Sequence, residues 1–80
     1  MISQKEINYV TEKITRRFEI ELPLGFEDFN LENDHLYISF YKSEISRTYE
    51  LSKGLTLEFD NLDSLTAYLT PRSLIRILSA

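Results

Sequence analysis

The stretch "TYELSKGLTLEF", residues 48–59, constrains the fold more than any other part of the chain. Ser52-Lys53-Gly54 stands between Leu51 and Leu55, which suits a three-residue hairpin loop with Gly54 in the left-handed conformation of a bulge. In that register Tyr49 faces Leu57, Arg47 faces Phe59, and Ile45, Leu51 and Leu55 share their side of the sheet. The other side presents Ser46, Thr48, Glu50, Thr56, Glu58 and Asp60. One apolar side and one polar side is the pattern of an antiparallel sheet covered by helices on one face. Arg47 breaks it. Its expected place is near the sheet margin, with the stem buried and the head in water or paired with an acidic group.

A second strand is written in "HLYISFYK", residues 35–42. Leu36, Ile38 and Phe40 form an inward row, while His35, Tyr37, Ser39 and Tyr41 alternate with them, an aromatic content that a solvated sheet face does not require. Three explanations compete. The N-terminal helix or the 18–31 segment covers those rings as a second layer of core. Alternatively the face is open and binds a protein, with Tyr37 and Tyr41 as large rigid contacts and His35, Glu50 and Glu58 nearby. In the third, the rings stack on bases, although the surrounding charges are acidic and a basic track is missing.

Helices are expected at both ends. Ser3-Gln4-Lys5-Glu6 fits the S-x-x-E capping box, with Ile2 and Ile7 placed as a hydrophobic staple. Ile7, Val10, Ile14 and Phe18 then recur at spacings of three and four, which predicts an amphipathic helix to about Arg17 followed by an extended segment. Pro23 and Gly25 interrupt regular structure, "FEDFNL" reads as a short irregular strand, and "ENDH" has the composition of a turn. After the hairpin, Asp60 or Asn61 can cap a helix whose Leu62, Leu65, Tyr68 and Leu69 form an apolar stripe. Thr70-Pro71 then reads as the cap and first residue of another, with Leu74, Ile75 and Leu78 facing the core.

The expected fold is α+β over residues 1–80, a single small domain: an N-terminal helix, a three- to four-stranded antiparallel sheet, and two short C-terminal helices packed on one sheet face. A chain of this size buries only about 60% of its unfolded surface, so self-association would add stability. The chain has no cysteine, which excludes disulfides and thiolate metal sites. It shows neither a basic-then-apolar leader nor the run of roughly 18 to 20 apolar residues that spans a bilayer, so a cytoplasmic protein without a membrane partner is expected.

Catalysis finds little footing. The single histidine, His35, lies beside Asp34 at the expected turn, and no nucleophile elbow accompanies it. Asp60 and Asp63 are better explained by a helix start than by a metal pair, since no calcium loop or His/Cys cluster accompanies them. Two glycines, Gly25 and Gly54, cannot build a phosphate cradle. A non-enzymatic chain with neither cofactor nor metal is therefore expected. Residues 59–69, "FDNLDSLTAYL", resemble the strand-to-helix passage of phosphotyrosine-reading domains, where a strand Phe precedes a Leu-rich helix. The phosphate-binding arginine strand of that family has no counterpart here, so its function is not carried over.

The net charge of −4 disfavours non-specific nucleic-acid binding. It is also unevenly distributed: Glu19, Glu21, Glu27, Asp28, Glu32 and Asp34 follow one another without a lysine or arginine between them. Beside the tyrosines, such a band steers a protein onto a basic surface. The leading expectation is thus an acidic protein-interaction module whose site comprises Tyr37, Tyr41, His35, Glu50, Glu58, Glu27, Asp28, Glu32 and Asp34 and whose partner is a basic protein. In size and charge the chain is similar to small acidic phage-encoded inhibitors, including some anti-CRISPR proteins. Two other expectations stand beside it, a structural homo-oligomer subunit and a nucleic-acid-binding regulator that uses Arg16, Arg17, Arg72 and Arg76.

Overall fold

The computed structural model describes residues 2–79. Helix α1 (Gln4–Phe18) is followed by strands β1 (Asp28–Glu32), β2 (His35–Ser39), β3 (Arg47–Ser52), β4 (Leu55–Phe59) and β5 (Leu65–Pro71), and by helix α2 (Arg72–Ser79). The strands form one five-stranded sheet in the order β1-β2-β5-β4-β3, and all neighbours are antiparallel. Two hairpins, β1–β2 and β3–β4, are thereby joined through β5, which enters between them.

α1 begins where the capping residues place it. The Glu6 N–H donates to Ser3 Oγ at 3.2 Å, and the Ser3 hydroxyl reaches back to the Glu6 carboxylate. Glu19 ends the helix in the left-handed conformation. Ile7, Val10, Thr11 and Ile14 are its buried face, and the first, second and fourth of these join Leu36, Ile38, Phe40, Leu55, Leu57, Tyr68 and Leu78 in one cluster. Phe18, Ile20, Leu22 and Phe26 pack against the same cluster, so the 18–26 segment also lies on this inner side of the sheet.

The β3–β4 hairpin has the expected register, with Tyr49 opposite Leu57 and Arg47 opposite Phe59. Ser52 also pairs with Leu55, so the tip is Lys53-Gly54, with the register shift between Glu50 and Ser52. Gly54 has φ +82, and a Cβ there would lie 2.9 Å from Pro71 Cγ. In the β1–β2 hairpin Asn33 and Asp34 both have positive φ, the requirement of a type I′ turn, whose twist matches its strands.

Four expectations are corrected. Residues 62–69 do not form a helix: Asp60 caps a tight turn, accepting the N–H groups of Leu62 and Ser64 at 2.9 Å each, and β5 follows. The asparagine-like capping chemistry that starts a helix serves a turn equally well. The sheet consequently has five strands rather than three or four, one of them a regular β1 where an irregular segment was expected, and a single helix follows it. Thr70 and Pro71 end β5 instead of starting α2; the Thr70 hydroxyl is buried without a hydrogen-bond partner among the described residues. Ile45 precedes β3 and is 49% exposed, outside the core side assigned to it.

β5 also carries the anchor between sheet and helix. The Thr11 hydroxyl donates to the Ile7 carbonyl at 2.9 Å, which leaves its oxygen to accept from the Tyr68 hydroxyl at 2.8 Å. Tyr68 has no accessible surface. Thr11→Val strands a buried phenol O–H and is expected to cost about 1–3 kcal/mol, whereas Tyr68→Phe leaves Thr11 bonded to Ile7 and costs about 1 kcal/mol. Urea unfolding of the two variants checks this order. Gly54→Ala is expected to lower stability by about 1–3 kcal/mol, because the left-handed backbone and Pro71 both oppose a side chain; thermal melts measure it.

Candidate functional site

With both helices and the 18–26 segment on the inner side, the opposite face of the sheet is left without a covering element among the described residues. The register specifies what that face presents. One row crosses the sheet through Asn30, Tyr37, Leu69, Thr56 and Glu50. The next runs through Asp28, Ser39, Ala67, Glu58 and Thr48. A shorter row holds Glu32, His35 and Pro71.

β5 explains why the middle of this face is apolar. Thr66, Tyr68 and Thr70 are its buried inward row, while Ala67 and Leu69 alternate with them on the outer side; Ala67 is only 1% accessible there, so Leu69, half-buried, is what β5 presents to this face. Beside Leu69 stands Tyr37, whose hydroxyl donates to Glu58 at 2.5 Å across the sheet. Asp28, Glu32, Glu50 and Glu58 occupy the surrounding positions, and no lysine or arginine occupies a strand position on this face among the described residues. The outer face thus has half-buried Tyr37 and Leu69 at its middle and carboxylates around them.

Burial pushes the Tyr37 phenol up to about 12, and the hydrogen bond and charge of Glu58 act in the same direction. Both causes favour the neutral, donating form, so the Tyr37–Glu58 bridge persists throughout the neutral range.

The expected site residues separate into groups. Tyr37, Asp28, Glu32, Glu50 and Glu58 come together on the outer face with His35, whose Nδ1–H donates to the Asn33 carbonyl at 2.8 Å. Tyr41 does not join them. β2 ends at Ser39, and Tyr41, 52% exposed, lies instead in an open cleft of about 760 Å³ with Thr15, Leu22, Pro23 and Asp60. Asp34 sits in the β1–β2 turn, where its carbonyl accepts the Arg72 N–H at 2.8 Å. Glu27 precedes β1, near Phe40 and Tyr41. Asn30, Ala67 and Leu69 were missed; the last two were assigned to a helix, although the alternation Thr66, Tyr68, Thr70 is the period-two signal that places them on the other side of the strand.

The remaining clusters offer less. In the Tyr41 cleft the Asp60 carboxylate is occupied by the turn it caps. No group of His, Asp or Glu side chains able to hold a metal occurs among the described residues. Arg47 stacks over Phe59 at 4.1 Å and pairs with Asp63 at 3.0 Å. Arg72 and Arg76 lie beside Ile2 and Glu6, at the start of α1, whereas Arg16 and Arg17 are in its last turn, about 15 Å further along the axis. These arginines form no continuous track. No described helix is long and apolar enough to cross a membrane. Comparisons with protein-family models, curated proteins and solved structures give no match.

Tyr37 and Tyr68 both have phenols raised from 10 to about 12. A group raised on folding contributes stability that is complete below the unfolded value and disappears as pH passes the folded one. Unfolding is therefore expected to become easier between pH 10 and 12. Tyrosinate absorbance should show two phenols titrating near pH 12; Tyr37→Phe removes one of them and Glu58→Gln moves one toward 10, while Tyr68 stays.

Proposed function

We propose that this protein is a non-enzymatic interaction module that binds a basic protein surface through the outer face of its sheet. The observation that carries the reading is the inverted polarity of β5. The central strand turns Leu69 outward beside Tyr37, both half-buried, with Ala67 filled in beneath the neighbouring side chains, on a face that no other described element covers, and the rim around them is acidic. An interface of this kind takes affinity from its aliphatic and aromatic centre, and orientation and encounter rate from its charges. Because the rim competes with phosphates for lysine and arginine, such a module is suited to inhibiting a nucleic-acid-binding partner.

Octalysine is a suitable first probe, titrated at low ionic strength into isotope-labelled protein. Amide shifts are expected to concentrate at Asn30, Tyr37, Glu50, Glu58 and Leu69, and the joint substitution Glu50→Gln/Glu58→Gln is expected to weaken binding about five-fold or more. The joint substitution Glu12→Gln/Glu19→Gln, away from this face, leaves binding unchanged. Shifts spread evenly over all carboxylates, or equal losses from the two pairs, overturn the reading.

A further inference from the structure

The two edges of the sheet differ in a way that indicates how the partner attaches, an inference that rests on the outer face being an acidic docking surface. In an antiparallel sheet the backbone groups of successive residues point alternately to opposite neighbours. The Phe40 N–H donates to the Thr66 carbonyl at 2.7 Å, so Thr66, Tyr68 and Thr70 turn their backbone groups toward β2. Ala67 and Leu69 then serve β4 through Glu58 and Thr56, which leaves Leu57 to bond with Tyr49. Thr48 and Glu50 therefore turn their N–H and C=O groups away from the sheet.

The same alternation gives β1 outward groups at Phe29 and Leu31. There the Asp28 carboxylate accepts the Phe29 N–H at 2.8 Å, so a side chain caps one of the two outward N–H groups of this edge. β3 has no such cover among the described residues, and the whole run 41–50 is exposed. A bare edge of this kind is a template for another strand.

We propose that β3 accepts an extended segment of the partner as a sixth strand, and that this segment carries lysine or arginine at alternate positions. A strand laid along β3 places every second side chain on the outer face beside Glu50, with Glu58 one strand further in. Its other side chains fall on the inner side, beside Arg47 and the Tyr49 ring, which is 53% exposed. Arg47 is already paired with Asp63 and stacked on Phe59 there, and Tyr49 offers apolar contact, so the outer row selects bases and the inner row apolar side chains. The outward backbone groups supply affinity independent of sequence, and the side chains set the register.

The test uses an octapeptide of alternating lysine and valine, and the same peptide N-methylated throughout, each titrated calorimetrically at low salt. The unmodified peptide is expected to bind and to slow amide exchange at Thr48 and Glu50, and the methylated one to bind about ten-fold more weakly or worse. Thr48→Pro, which removes an outward N–H without touching the ladder, is expected to lose affinity for the unmodified peptide alike. Equal binding of both peptides overturns strand addition while leaving the acidic face as the docking surface. So does failure of both peptides with a protein that still binds octalysine on that face; failure of octalysine as well overturns both readings. A dimer in sedimentation whose β3 amides are protected without peptide assigns the edge to a second copy and overturns the proposal.

Discussion

The relay from the Tyr68 hydroxyl through Thr11 to the Ile7 carbonyl is the constraint on which the rest of the structure depends. It joins α1 to the strand that itself holds the two hairpins together. A hairpin alone is marginal in water, and three or more strands with a buried face are needed for independent stability. β5 supplies that condition to both hairpins at once. Its inward row does so with hydroxyls rather than aliphatic groups, each of which needs a partner. Tyr68 finds Thr11, Thr66 donates to the Glu58 carbonyl at 3.2 Å, and Thr70 is left without one among the described residues.

That choice of residues also explains which parts of the architecture were legible in the sequence. α1 and the β3–β4 hairpin could be read because their signals are local: Ser3 and Glu6 at the helix start, and Gly54 at a loop that tolerates little else. β5 could not be read this way. Leu62, Leu65, Tyr68 and Leu69 imitate a helical stripe, and Asp60 imitates a helix cap. Leu62 in fact projects from the turn, 80% exposed. A central strand bonded on both edges is specified by neighbours remote in sequence, and hydroxyls inside with aliphatics outside reverse the usual polarity rule.

The candidate site was legible to the same extent. The alternation in "HLYISFYK" separates Tyr37 from the core row correctly, but extending it to Tyr41 assumes a strand longer than the one formed. The acidic run 19–34 is one band only along the chain; folding sends Asp28 and Glu32 to the outer face and leaves Glu27 and Asp34 beyond its ends. Glu50 and Glu58 reach that face from the other hairpin, a convergence that only the strand order creates.

The acidic rim and the bare β3 edge constrain each other. A sheet face with no covering element among the described residues and an open edge both invite self-association, which in a small protein would also add stability. Two copies joined antiparallel through β3 would merge their outer faces into one, bringing Glu50 and Glu58 of each into a single field of like charge, and two copies stacked face to face would oppose their rims directly. The charges therefore act against a second copy, and under the proposed reading in favour of a basic partner, without blocking the backbone groups that such a partner would use. Placing the protection on the face instead of the edge keeps β3 available while discriminating by sign.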